Sequence, residues 1–189
     1  MPQKNIKLNE MRHPDYAQDE QWIIAFLHQA QIGHIATTSA GNPYITPTLF
    51  WFDQEKGELY FHSNFRGHVR MNAEQHPQVC FEASRAGKLL PSNIALEFSI
   101  QYESVIAFGE IRVIEGAEEK KRGLYGLIEK YFPGMSPGEH YRPITDEELK
   151  RTSVYAITIQ SWSGKRNWHE QADQGEQWPP LAEEWLGSQ

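Results

Sequence analysis

The stretch LYFHSNFRGHVRMN, residues 59–72, gathers groups that can hold an anion. His62, Ser63, Asn64, Arg66, Gly67 and His68 stand between a strand-like start, Leu59-Tyr60-Phe61, and a helix-like continuation from Gly67. A phosphate is held well where backbone N–H groups converge at a helix N-terminus, helped by a hydroxyl and a cation. Ser63 can supply the hydroxyl and Arg66 a guanidinium with two parallel donors. Gly67 lets backbone approach closely, His68 adds a donor and Arg70 a second charge. The bland alternative is an ordinary polar turn, with Asn64 capping and the arginines in solvent. The preceding ITPTLFWF bears on the choice. Pro47 cannot donate to a ladder, so its strand is an edge, a bulge or a ligand wall. Thr46 and Thr48 share one face at period two. Only the combination argues for a flat, phosphorylated ligand.

Other reactive residues carry less. The eight histidines show no metal-ligand spacing, so no metal site is expected. Cys80, the single cysteine, sits in the strand-like QVCFEA and reads as a small core thiol rather than a nucleophile. Trp51 and Phe52 read as core. KLLPSNIALEFS, with Asn93 and Glu97, reads equally as a lid or a packed connection. EEKKR reads as a solvated helix face. Trp168, Trp178 and Trp185 need burial somewhere.

The elements that position these groups follow from periodicity. DEQWIIAFLHQA (19–30) puts Trp22, Ile23, Phe26, Leu27 and Ala30 on one helical face, with Asp19 as N-cap. HIATTS (34–39), YITPTLFWFD (44–53), LYFHS (59–63), QVCFEAS (78–84), SVIAFGEIRVIEG (104–116) and SVYAITIQSW (153–162) read as strands. Gly109 inside the fifth marks a bulge or a bend. Helices are expected at HVRMNAEQHP, at AEEKKRGLYGLIEKYF (117–132) and at TDEELKRT (145–152), the last capped by Thr145 or Asp146. Residues 85–103 begin as a loop, and the sequence after Trp162 reads as a polar tail. Six or seven strands joined by tight turns favour an antiparallel barrel with peripheral helices, closed so that no edge is exposed.

The 189 residues suit a single domain with a helical N-terminal segment and a Trp-rich C-terminal tail. A net charge of −7 argues against nucleic acid and membrane surfaces as partners. The N-terminus lacks a signal-peptide core, no apolar run is long enough to span a bilayer, and a lone thiol suits a reducing compartment, so a cytoplasmic location is expected.

GHIATTSAGNPYITPTLFWFDQEKGELYFHSNFRGHVRMNAEQHPQVCFE resembles the core of the pyridoxamine 5′-phosphate oxidase-like FMN-binding split barrels, in the branch of nitroimidazole-resistance reductases and flavin-nucleotide-binding proteins. The likeness runs from about residue 12 to about residue 168. It implies a mainly β fold with peripheral helices, an antiparallel split β-barrel, forming a homodimer with FMN at the subunit interface. It implies that Thr46, Pro47, Thr48 and Leu49 line the flavin ring, and that His62, Ser63, Arg66, Gly67 and His68 hold its phosphate. His68 stands where such proteins carry Lys or Arg. The resemblance further implies that Ser104 and Val105 meet the flavin, while Trp162 and Lys165 close over it from the partner. GKRNWHEQ lacks the Arg-x-His-Asp-Arg element of vitamin B6 oxidation, so that activity is not expected. Expected instead is a flavin oxidoreductase passing electrons from a nicotinamide donor to a small acceptor such as a nitroaromatic, with His62 as candidate proton donor. A flavin-binding or sensing module without turnover, and a haem or deazaflavin binder, remain alternatives; for haem the crude axial candidates are His62 and His140.

Overall fold

The computed structural model describes residues 8–186. Its frame is an eight-stranded antiparallel sheet: β1 (Ala17–Gln18), β2 (Gly33–Ser39), β3 (Asn42–Thr48), β4 (Trp51–Asp53), β5 (Glu58–Asn64), β6 (Gln78–Leu90), β7 (Ser99–Ile114) and β8 (Thr152–Asn167). The helices are α1 (Glu20–Gln29), α2 (His68–Gln75), α3 (Ala117–Tyr131), α4 (Asp146–Arg151) and the short α5 (Glu183–Leu186). Across the sheet the order is β3-β2-β6-β7-β8-β5-β4, with β1 added beside β8. Among the described residues no pairing joins β3 to β4. The sheet is therefore a split barrel with two edges, and the expected full closure is not made.

One expected strand is two. YITPTLFWFD breaks at Leu49-Phe50: β3 pairs with β2, and β4 pairs with β5 at the opposite edge. The crossing is pinned by Phe50, fully buried edge-on against Phe81 and tied through its backbone N–H and C=O to the Tyr131 hydroxyl. β6 and β7 run further than expected, because their mutual pairing continues past Gly87 through an irregularity between Ala86 and Leu89. β8 likewise takes in Ser163–Asn167, read from the sequence as tail, because β7 pairs with it that far. Gly109 does mark a register shift, and a Cβ there would stand 2.2 Å from the Thr158 carbonyl oxygen.

The core is built by strand alternation. Ile35, Phe52, Leu59, Phe61, Phe81, Val105 and Tyr155 point inward, and α1 closes over them with Ile23, Phe26 and Leu27. Asp19 caps α1 by accepting from the Trp22 N–H at 2.8 Å. A smaller cluster of Tyr60, Ile114, Val154 and Ala156 lies on the other face of the sheet, with Trp51 and Leu124 packed against it. Here EEKKR departs from its expected solvated role. Lys120 is buried and donates to the carbonyls of Leu149 and Thr152, while Glu119 and Arg122 bind Arg112 and Asp53. Thr145 caps α4 in a reciprocal box with Glu148. Cys80 is half-buried, and burial raises its thiol pKa. No helix among the described residues is long and apolar enough to cross a membrane.

Candidate functional site

The β5–α2 junction is built as its turn chemistry suggests. β5 ends at Asn64, whose side chain accepts weakly from the Arg66 N–H at 3.4 Å. Gly67 precedes α2 with φ 153° and ψ 172°, a region open essentially to glycine alone. No atom lies within 4 Å of where its Cβ would be, so the approach to the first turn of α2 is open. That turn carries no side-chain cap and no acid, which leaves its N–H groups available to an anion. Arg66 is exposed beside Phe65 and has no acid partner among the described residues. Arg70 is different: it is committed to Glu74, Glu115 and the Ser153 hydroxyl. Ser63 shares its hydroxyl with Tyr155 at 3.1 Å.

β3 joins this corner through one contact. The Tyr44 ring lies 5.2 Å from the His68 ring, and Asn72 of α2 donates to Thr37 of β2 at 2.9 Å. Tyr44, Thr46 and Thr48 share the face that Ile35 turns to the core, by register with Thr37, Ile35 and Gly33. The Thr46 hydroxyl is buried without a partner, a cost that a ligand's polar edge would remove. Ile45 and Pro47 stand exposed on the other face. This donor set (helix N-terminus, one unpaired guanidinium, hydroxyls) fits a phosphate monoester.

Not every expected residue comes to that corner. His62 and Ser63 are neighbours on β5 and point to opposite faces. Ser63 follows Leu59 and Phe61 to the core side, whereas His62 follows Tyr60 to the α3 side. There His62 and Leu49 line an open cavity of about 470 Å3 with Leu124, Leu127, Ile128 and Phe132. His62 is itself exposed; the part of its imidazole held against these walls is desolvated, which lowers its pKa. Val105 is fully buried in the core, while Ser104 lies on the opposite face of β7, paired in register with Lys165. Trp162 packs inward on Phe52 at 5.9 Å. Lys165 faces out over the Tyr16 and Tyr102 rings. The sequence reading missed Tyr44, Arg142 and the α3 wall. Tyr44 was legible, being in period with Thr46 and Thr48; the wall was not, since it needs α3 folded onto β5.

Of the side residues, Asn93 does not form a lid. Its amide bonds the backbone of Gly175, Trp178 and Pro179 and so ties down the tail. Trp168 lies under Arg85 and Arg166, which both bind the buried Glu103. Trp178 and Trp185 are exposed. His140 lies in the loop before α4, its Nδ1 accepting from the Ser136 N–H. No group of three His, Cys, Asp or Glu among the described residues is placed to hold a metal ion.

Comparison with curated proteins returned no match. Solved structures do match. The flavocytochrome Anf3 of Azotobacter vinelandii is 25% identical, superposes with a TM-score of 0.78, and covers 89% of this chain and 76% of its own. A FAD- and haem-binding protein of Mycobacterium smegmatis has a TM-score of 0.77 at 19% identity, covering 86% and 78%. A candidate 5-nitroimidazole antibiotic resistance protein of Bacteroides thetaiotaomicron has 0.67 at 24%, covering 83% and 95%. The profile of the pyridoxamine 5′-phosphate oxidase family matches residues 19–166, the span that holds the sheet, the β5–α2 junction and the cavity beside α3, and the chain belongs to that family.

Proposed function

We propose that this chain binds a flavin, FMN, between two copies of itself and works in the cytoplasm as an oxidoreductase. It would pass electrons from a nicotinamide donor to a small acceptor such as a nitroaromatic. The observation that carries the reading is the Tyr44–His68 contact. It sets the strand bearing Thr46 against a helix start whose N–H groups and neighbouring Arg66 are unengaged. Family membership and the 25% identity to a flavocytochrome support it. The donor set favours a monophosphate, since Arg66 is the one guanidinium at the corner not committed to acids. Bound there, a flavin supplies hydride and electron transfer; the protein holds, orients and tunes it. Arg66 and the α2 N-terminus would neutralise the phosphate, and β3 would present backbone to the ring. Trp162 packs inward on Phe52, so Lys165 and Ser104 are the better candidates for contacts across the interface.

The test is the double variant Ser63→Ala/Arg66→Ala, with FMN affinity measured by fluorescence quenching. A charge-assisted bond is worth about 1.5–3 kcal/mol, so an affinity loss of roughly tenfold to hundredfold is expected with the fold intact. Undiminished affinity rejects the phosphate corner. Bleaching of bound FMN by NAD(P)H separates an enzyme from a binding or sensing module.

A second reading is haem on the same barrel. It is favoured by His62, whose ring nitrogens have no hydrogen-bond partner among the described residues, and by the flavocytochrome likeness.

A further inference from the structure

We infer that the cavity between β5, α3 and the loop leading to α4 is the haem site, with His62 as axial ligand and Arg142 at its mouth for a propionate. The inference rests on the second reading above and gives it a place in the fold.

Size and lining come first. At about 470 Å3 the cavity falls within the range of about 300–1,000 Å3 usual for cofactor sites. Its walls are Leu49, Leu124, Leu127, Ile128, Phe132 and Ile144, a hydrocarbon surface suited to a flat macrocycle. Leu49 and Phe132 keep 46% and 59% of their surface exposed, which leaves apolar area for a ligand to cover.

The polar groups narrow the occupant. Five besides His62 face the cavity: Tyr131, Tyr141, Arg142, Glu148 and Thr152, whose hydroxyl donates to the Glu148 carbonyl. Tyr131 is spent on the backbone of Gln31 and Phe50. Glu148 is spent on the Thr145 cap and on Arg142. That leaves His62 as the imidazole with an uncommitted lone pair. A purely apolar occupant would bury that nitrogen without a partner. Arg142 is largely exposed, and a carboxylate arriving at the mouth can share its guanidinium with Glu148. His140, the other axial candidate, does not line the cavity.

The site is separate from the phosphate corner, because His62 and Ser63 leave opposite faces of β5. The two ligands would not compete.

The experiment is a hemin titration of the full chain, flavin-free and then FMN-loaded, followed by the Soret band. Wild type should bind hemin equally in both states with a sharpened, shifted Soret band. His62→Ala should bind at least tenfold more weakly, and added imidazole should restore the spectrum. Leu127→Trp, which fills the cavity and keeps the ligand, should also weaken binding, while His140→Ala should not. A wild type that binds no hemin sinks both the second reading and this site. Haem bound by a folded His62→Ala with unchanged spectrum and affinity sinks the site alone.

Discussion

Two regions of β5 and its neighbours treat charge in opposite ways. At the β4–β5–α3 end a network of charges is completed within the chain. Glu58, buried, accepts from Arg112, the Tyr60 hydroxyl and the Thr158 hydroxyl. Arg112 also binds Glu119, which takes Lys56 as well, and Arg122 binds both Asp53 and Glu55. At the β5–α2 corner and the adjoining cavity such completion is missing: Arg66 without an acid, Thr46 with an orphaned hydroxyl, a helix start without a cap, and His62 without a bond. Both regions are rich in polar side chains, so composition does not separate structural chemistry from ligand chemistry. Whether the bonds are completed within the chain does.

Three experiments press on that difference. The largest effect belongs to Glu58→Ala, which removes the buried carboxylate shared by Arg112, Tyr60 and Thr158, leaving Arg112 and the Tyr60 hydroxyl with Glu119 alone and the Thr158 hydroxyl unpaired. It should lower unfolding free energy by about 3 kcal/mol in urea denaturation. A loss under about 0.5 kcal/mol would mean that the bonded end is not holding the fold. Next is Thr46→Val. Removing an unsatisfied buried hydroxyl should leave the ligand-free protein as stable, or more stable by up to about 1 kcal/mol. FMN binding should weaken in the same variant. Destabilisation with binding unchanged would place Thr46 among the structural residues.

The smallest effect is on pH. The Arg112 guanidinium holds the Glu119 carboxyl down to about 2 against some desolvation, so its contribution is complete above 4.5 and is lost as pH falls toward about 2. His62 lies below its ordinary 6.5, so the unfolded chain takes up the proton first. Its share of stability is complete above 6.5 and drains away as pH falls below that value. Urea midpoints of wild type against Glu119→Gln should therefore converge only in strong acid, and against His62→Gln should begin to change already as pH falls through 6.5. A pH-independent difference for His62→Gln would remove the desolvated imidazole from the argument.

Most elements and the β5–α2 junction were legible because their signals are local. Asp19 and Thr145 announce caps, Pro47 announces an edge strand, and the run from His62 to His68 announces a strand-to-helix junction. What was not legible depends on partners far along the chain. The break at Leu49-Phe50 needs Phe81 and Tyr131 to pin Phe50. The extension of β6 and β8 needs β7 between them. The faces of His62 and Ser63 follow from simple alternation, yet only the core on one side and α3 on the other give each face a meaning.

The edge strand carries a last consequence. Donor groups on β3 alternate between its partner β2 and the outside, and proline in a strand sits where its nitrogen faces outward. Pro43 and Pro47 therefore occupy two of the three outward positions 43, 45 and 47, leaving Ile45 as the lone donor between them. Such a margin cannot seed ordered polymerisation, because an added strand would meet two gaps in its ladder. The same apolar, exposed strand that would be an amyloid hazard is thereby kept for contacts made by its side chains.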